Sequence, residues 1–186
     1  MLATKVPVLG LAAFSGTGKT TLLSKIIKIF RQQGLRVGVI KHAHHTFEVD
    51  YPGKDSYVLR KSGAHQVLIG SRKRWALIVE RLHETELYFE EYLKNLDQDN
   101  LDIILVEGFK PEAIPKIELN RADLNNPYLY EKDNSIIAIA TDRKEAPVTE
   151  LPVLDLNRPE QIADFIIDRF LPEHKIDPLK VTTSTI

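Results

Sequence analysis

Between residues 13 and 21 the chain reads Ala13-Phe14-Ser15-Gly16-Thr17-Gly18-Lys19-Thr20-Thr21, and the residues on either side fix what that turn must join. Before it, Val6-Pro7-Val8-Leu9-Gly10-Leu11-Ala12-Ala13 is apolar throughout, the pattern of a strand buried on both faces in a parallel sheet. After it, Leu22, Leu23, Ile26, Ile27 and Phe30 recur at helical spacing, with Lys25, Lys28 and Arg31 on the opposite face and Gly34 placed to end the helix. Arg36-Val37-Gly38-Val39-Ile40 then supplies a second apolar run, which makes one βαβ unit with an expected right-handed crossover. A strand that enters a helix through a glycine-rich turn restricts the chain to open α/β architectures.

The rest of the sequence continues that alternation. Asp55 to Ser62 predicts a short helix, and Gln66–Ile69 and Trp75–Val79 predict an antiparallel pair at a sheet edge across Gly70-Ser71-Arg72-Lys73. Glu84 to Leu96 reads as helix and Leu101 to Val106 as a third buried strand. Pro115–Leu119, Ile136–Ala140 and Pro152–Leu156 are further strands, the last leading into a helix from Pro159 to Phe170. The expected fold is therefore a three-layer α/β domain, P-loop NTPase-like, with a mostly parallel sheet and an antiparallel edge extension. Residues 1–171 are expected to form this single domain, and 172–186, without periodic apolar residues, a loosely attached tail.

Composition narrows the function classes. The 25 basic and 26 acidic side chains leave a formal charge of -1, so no global positive field favours nucleic acid or anionic lipid. Any anion must be held by a local device. The absence of cysteine excludes disulfides, thiolate metal sites and cysteine nucleophiles, and fits a reducing, cytoplasmic setting. The longest apolar run, Val6 to Phe14, is far shorter than the roughly 20 residues that cross a bilayer, and no leader peptide is expected. The near-neutral total conceals two opposed runs. Lys54, Arg60, Lys61, Arg72, Lys73 and Arg74 face only Asp55, whereas Glu84, Glu86, Glu90, Glu91, Asp97, Asp99 and Asp102 face only Lys94.

The turn itself is that local device. It follows the Walker A pattern G-x-x-x-x-G-K-S/T, with Ala13 in place of the first glycine. Gly16 and Gly18 let successive N–H groups of Ser15 to Thr21 point at phosphate oxygens, and the helix start adds about half a unit of positive charge. Lys19 reaches terminal phosphates, and the Thr20 hydroxyl suits a Mg²⁺ ion shared with them. If position 13 requires a positive φ, its methyl is costly; if not, the substitution is silent. Glu107, at the end of the third buried strand and before Gly108, stands where a Walker B acid belongs, linked to the metal or positioning water, or else is a surface carboxylate that ends the strand. Asp50 is either an acid closing over a terminal phosphate and its metal or a turn former before Pro52-Gly53. His42, His44 and His45 are either metal ligands or part of a solvated or phosphate-contacting loop. Lys54 and Ser56 are open to an anion, although Asp55-Ser56 also reads as a helix cap. Asp142, after a central strand, either accepts hydrogen bonds from guanine N1 and N2 or belongs to a turn with Arg143 and Lys144.

Taken together, Ser15–Thr21, Lys41-His42-Ala43-His44-His45, Asp50–Tyr57, Leu59–Ala64 and Leu105–Lys110 resemble the MobB family of molybdopterin-guanine dinucleotide biosynthesis proteins, over a span from Val6 to about Phe170. The resemblance implies a P-loop protein that binds GTP with Mg²⁺ and hydrolyses it weakly. It implies an accessory role beside MobA, the transferase that attaches GMP to molybdopterin. It also implies a homodimer formed through an extended sheet. Two other readings stay open: a nucleotide-regulated adaptor that delivers molybdopterin or its dinucleotide form, and a small-molecule kinase with Arg60, Arg72 and Arg74 as lid arginines.

Overall fold

The computed structural model describes residues 4–43, 47–82 and 88–174. Along the chain lie β1 (Val8–Ala12), α1 (Lys19–Gln32), β2 (Val37–Lys41), α2 (Asp55–Lys61), β3 (Gln66–Gly70), β4 (Trp75–Val79), α3 (Phe89–Lys94), β5 (Ile103–Glu107), β6 (Lys116–Asn120), β7 (Ile136–Thr141), β8 (Val153–Asp155) and α4 (Pro159–Phe165). Six strands form one sheet in the order β2-β5-β1-β6-β7-β8, and every pairing is parallel. All five residues of β1 are buried, as its unbroken apolar sequence predicts for a strand with neighbours on both sides. Consecutive side chains of β1 leave opposite faces of the sheet, so Leu9 and Leu11 join one core and Val8 the other.

The first core packs Leu22, Leu23, Ile26 and Phe30 of α1, with Ile162 and Ala163 of α4, on Leu105, Ile117 and Leu119. Each fully buried side chain of this size contributes about 1.5–3 kcal/mol. The second core sets Phe89 and Leu93 of α3 on Ile40, Ile104 and Val106, together with Phe109 and Ile114. Helix, sheet and helix are the three layers the sequence predicts. Gly34, at φ 80°, ends α1 as expected.

Strand β6 shows a pattern the sequence does not advertise. Lys116, Glu118 and Asn120, three polar residues on alternate positions, are all buried. Lys116 Nζ donates to Asp133 Oδ2 at 2.9 Å and Ser135 Oγ at 2.7 Å, and Glu118 accepts the N–H groups of Leu129 (2.8 Å) and Tyr130 (2.9 Å). Arg143 Nε donates to Asn120 Oδ1 at 2.8 Å and its guanidinium lies over the Tyr128 ring. Burial holds the Glu118 carboxyl above the usual carboxylate range, against the backbone bonds that lower it. Satisfied in this way, the polar face fastens residues 121–135 to the sheet.

The chain divides into two compact units, Met1–His42 with Tyr88–Ile186, and Ala43–Leu87. The smaller one contains α2 and the antiparallel pair β3–β4, which forms a two-stranded sheet of its own. With only two strands, and Leu68, Trp75 and Leu77 exposed, it closes no core comparable to the two above. Of the helix expected over 84–96, residues 89–94 are helical, and 83–87 lie outside the described residues. Past Phe165 the last helix widens into a π-helical stretch, Ile166–Phe170, and continues through Leu171–Glu173, where the His174 ring stacks on Phe170. Of the segment 172–186 expected as a tail, residues 175–186 lie outside the described residues. No helix among the described residues is long and apolar enough to cross a membrane.

Candidate functional site

The glycine-rich turn lies at the carboxyl end of β1, where neighbouring strands β5 and β6 connect to different parts of the chain, the edge at which open α/β sheets take ligands. Gly16 and Gly18 have φ of 79° and 94°, so the loop uses both glycines for left-handed turns. Ala13 has no positive φ and is fully buried in the first core, which makes its methyl silent for loop geometry. The loop holds itself together through the Phe14 carbonyl, which accepts Thr17 Oγ1 at 2.8 Å and Lys19 Nζ at 3.0 Å. Lys19 Nζ also donates to Ala13 O at 3.3 Å. Ser15, Gly16, Thr20 and Thr21 are exposed, Thr17 is buried, and no side chain caps the first turn of α1. A Cβ added at Gly16 would meet nothing within 4 Å. The loop therefore offers uncapped amides, a lysine folded onto its own carbonyls and open space, which fits a polyphosphate.

Glu107, the last residue of β5, is buried and its Oε1 accepts the Thr20 hydroxyl at 2.8 Å. Lys41 Nζ, from the adjoining position of β2, is 3.5 Å from the same oxygen. A hydroxyl and a carboxylate side by side at the end of a phosphate loop are the hard oxygen donors that Mg²⁺ prefers, so the residues present fit that ion. Thr20 and Glu107 would hold it, and it would supply positive charge to offset that of the phosphates. Burial, and then the positive charges of Lys110 and Lys41, hold the Lys19 ammonium below the usual lysine value, while Glu107 acts in the opposite direction. After Glu107 the chain takes two left-handed residues in succession, Gly108 at φ 101° and Phe109 at φ 52°. The Phe109 ring sits 4.9 Å from each of the His42, Phe89 and Tyr92 rings. His42 thus packs beside the site, and His44 and His45 lie outside the described residues.

One residue that sequence reasoning missed borders the loop. Arg121, just past β6, donates from Nε to the Thr17 carbonyl at 3.2 Å and from Nη1 to Asp142 Oδ2 at 2.8 Å. Asp142 Oδ1 accepts the Ala122 N–H at 2.7 Å. The proposed base-reading aspartate therefore sits at the end of β7 beside the phosphate loop, with each oxygen already taking one donor and retaining a lone pair.

Asp50 belongs to the smaller unit. It is buried there, accepts a hydrogen bond from Arg60 Nη2 at 2.5 Å, and that bond holds its carboxyl below the usual range. Arg60 also pairs with Glu48 and, at 2.7 Å, with Glu80. Three carboxylates consume Arg60, so it withdraws from the basic run of residues 54–74 and from the lid-arginine reading. Asp55 and Ser56 do not cap α2: both lie inside its first turn, the N-cap is Lys54, and no side chain caps the helix.

Residues 8–142 match the family model for molybdopterin guanine dinucleotide synthesis protein B. The chain belongs to the MobB family. It is 46% identical over 167 residues to the molybdopterin-guanine dinucleotide biosynthesis adapter protein of Escherichia coli (strain K12), with 89% of this chain and 94% of that protein covered. It is 43% identical over 164 residues to the protein so described in Haemophilus influenzae, with 87% and 88% covered. A crystal structure of Bacillus subtilis MobB superposes with a TM-score of 0.66 at 25% identity, covering 87% of this chain and 96% of that one. Another MobB crystal structure gives 0.64 at 27% identity, covering 89% and 99%. The matched span of this MobB chain contains Lys19, Thr20, Glu107, Arg121 and Asp142, so the constellation around the phosphate loop falls within what the family model describes.

Proposed function

We propose that this chain binds GTP with Mg²⁺, hydrolyses it weakly, and assists MobA in joining GMP to molybdopterin. The observation that carries the reading is the Lys19, Thr20 and Glu107 constellation at the carboxyl edge of β1 and β5. Lys19 leaves the carbonyls of Ala13 and Phe14 for the terminal phosphates, and the loop amides from Ser15 to Thr21 take the remaining oxygens. Thr20 and Glu107 hold the metal, with Glu107 acting directly or through an ordered water. Asp142 reads the guanine edge through its free lone pairs, steadied by Arg121. Cytoplasmic location and a homodimer complete the proposal.

That the relatives are adapter proteins favours a second reading, in which nucleotide occupancy regulates docking with MobA or delivery of molybdopterin and hydrolysis is incidental. Measuring GTP consumption and guanine dinucleotide formation, with and without MobA and molybdopterin, separates the two. A Glu107→Gln variant that binds GTP without hydrolysing it loses support of dinucleotide formation in the first reading and retains it in the second. Failure of the wild-type protein to bind any nucleoside triphosphate removes both.

A further inference from the structure

Three lysine ammonium groups, not one, stand at the Glu107 end of the phosphate loop. Lys41 ends β2 directly beside Glu107 in the parallel register, and its Nζ lies 3.5 Å from Oε1, with the side chain 57% exposed. An exposed pair at that distance adds little to folding, so the fold does not account for a lysine there. Lys110 Nζ lies 5.1 Å from the centroid of the Phe14 ring, within the loop whose Phe14 carbonyl holds Lys19. Among the described residues Lys110 has no carboxylate partner, and the charges that act on Lys19 are Lys110, Lys41 and Glu107, so three ammonium groups stand against one carboxylate and two positive charges are in surplus.

The backbone indicates that the place of Lys110 is built. Phe109 adopts φ 52°, uncommon for any residue but glycine, and its ring is clamped among His42, Phe89 and Tyr92. With Gly108 at φ 101°, this double left-handed turn sends the chain from Glu107 back so that Lys110 overlies Phe14. A solvated surface lysine needs no such turn, and strain of this kind persists where the surroundings enforce it.

We infer that Lys41 and Lys110 bind the terminal phosphate of a Mg²⁺-bound nucleoside triphosphate and make the site selective for triphosphate over diphosphate. The inference rests on the proposed nucleotide site and adds to it the part of the ligand these lysines read. The charges match: a triphosphate with one Mg²⁺ carries about two negative charges, the surplus left by three ammonium groups and one carboxylate. Lys41 would exchange its Glu107 partner for a phosphate oxygen, leaving Glu107 to the metal, and Lys110, over the Phe14 ring, would take a second oxygen.

The test is calorimetric titration of the full chain with a non-hydrolysable Mg·GTP analogue and with Mg·GDP, for the wild type, Lys41→Met, Lys110→Met and the charge-keeping Lys41→Arg. Both lysines are exposed at their ends, and matching unfolding curves verify that the variants fold. Each methionine variant is expected to weaken triphosphate binding about tenfold, the worth of one charged hydrogen bond, with diphosphate binding changed less than about twofold and Lys41→Arg close to wild type. Equal losses for the two nucleotides, or no loss for the triphosphate, overturn the inference while leaving the nucleotide site standing. A wild-type protein that binds neither nucleotide overturns the site reading and this one together.

Discussion

Replacing Ala13 by the glycine of the general phosphate-loop pattern is expected to weaken the fold and leave nucleotide affinity alone. Ala13 has no positive φ, so glycine brings no relief of backbone strain. The methyl is fully buried against the first core, and its removal costs about 0.8 kcal/mol of transfer free energy. The extra freedom of glycine in the unfolded chain adds about 0.5–1 kcal/mol. The sum, about 1.5 kcal/mol, corresponds to a fall of roughly 3–6 °C in Tm for a chain of this size. Urea unfolding of Ala13→Gly against the wild type measures the first part, and titration with Mg·GTP the second. A variant more stable than the wild type, or one that binds nucleotide more than about threefold tighter, would show that position 13 does require glycine and that the account of the loop is wrong.

Gly108→Ala should be severe. The residue has φ 101°, which costs an alanine about 1–2 kcal/mol, and the new Cβ would stand 2.8 Å from His42 Cβ. Relieving that clash adds about 1–3 kcal/mol, so denaturant unfolding should report a loss of about 2–5 kcal/mol; a loss under 1 kcal/mol refutes the turn as described. Arg121→Ala removes a partly buried pair with Asp142 and the bond to the Thr17 carbonyl. It should lower stability by about 1 kcal/mol and weaken nucleotide binding, measured by unfolding and titration in parallel; unchanged values on both would make Arg121 incidental.

Much of the fold is legible because it rests on unbroken apolar runs. Val8–Ala12, Ile103–Glu107 and Ile136–Thr141 announce themselves as buried strands, and the periodicity of Leu22, Leu23, Ile26 and Phe30 announces α1. Lys19, Thr20 and Glu107 are legible for the same reason, since each is placed by the end of such an element. Arg121 is not, because its partners Thr17 and Asp142 are 104 and 21 residues away and only the sheet order brings them together. The role of β6 is equally hidden: a charged residue in a strand signals an exposed face, whereas Glu118 is buried by backbone N–H groups from Leu129 and Tyr130. Arg60 shows the reverse. Counted along the sequence it enlarges a basic run, but Glu48 and Glu80 lie outside that run and, with Asp50, take its charge.

The central claim, that Lys19 and its loop bind a nucleoside triphosphate, is tested most directly by calorimetric titration of Mg·GTP into the wild type and Lys19→Ala. Lys19 is half-buried and, among the described residues, its ammonium donates to the loop carbonyls of Ala13 and Phe14. The account predicts saturable binding by the wild type and no measurable binding by the variant, with superimposable unfolding curves. Undiminished affinity in a folded Lys19→Ala protein would contradict it.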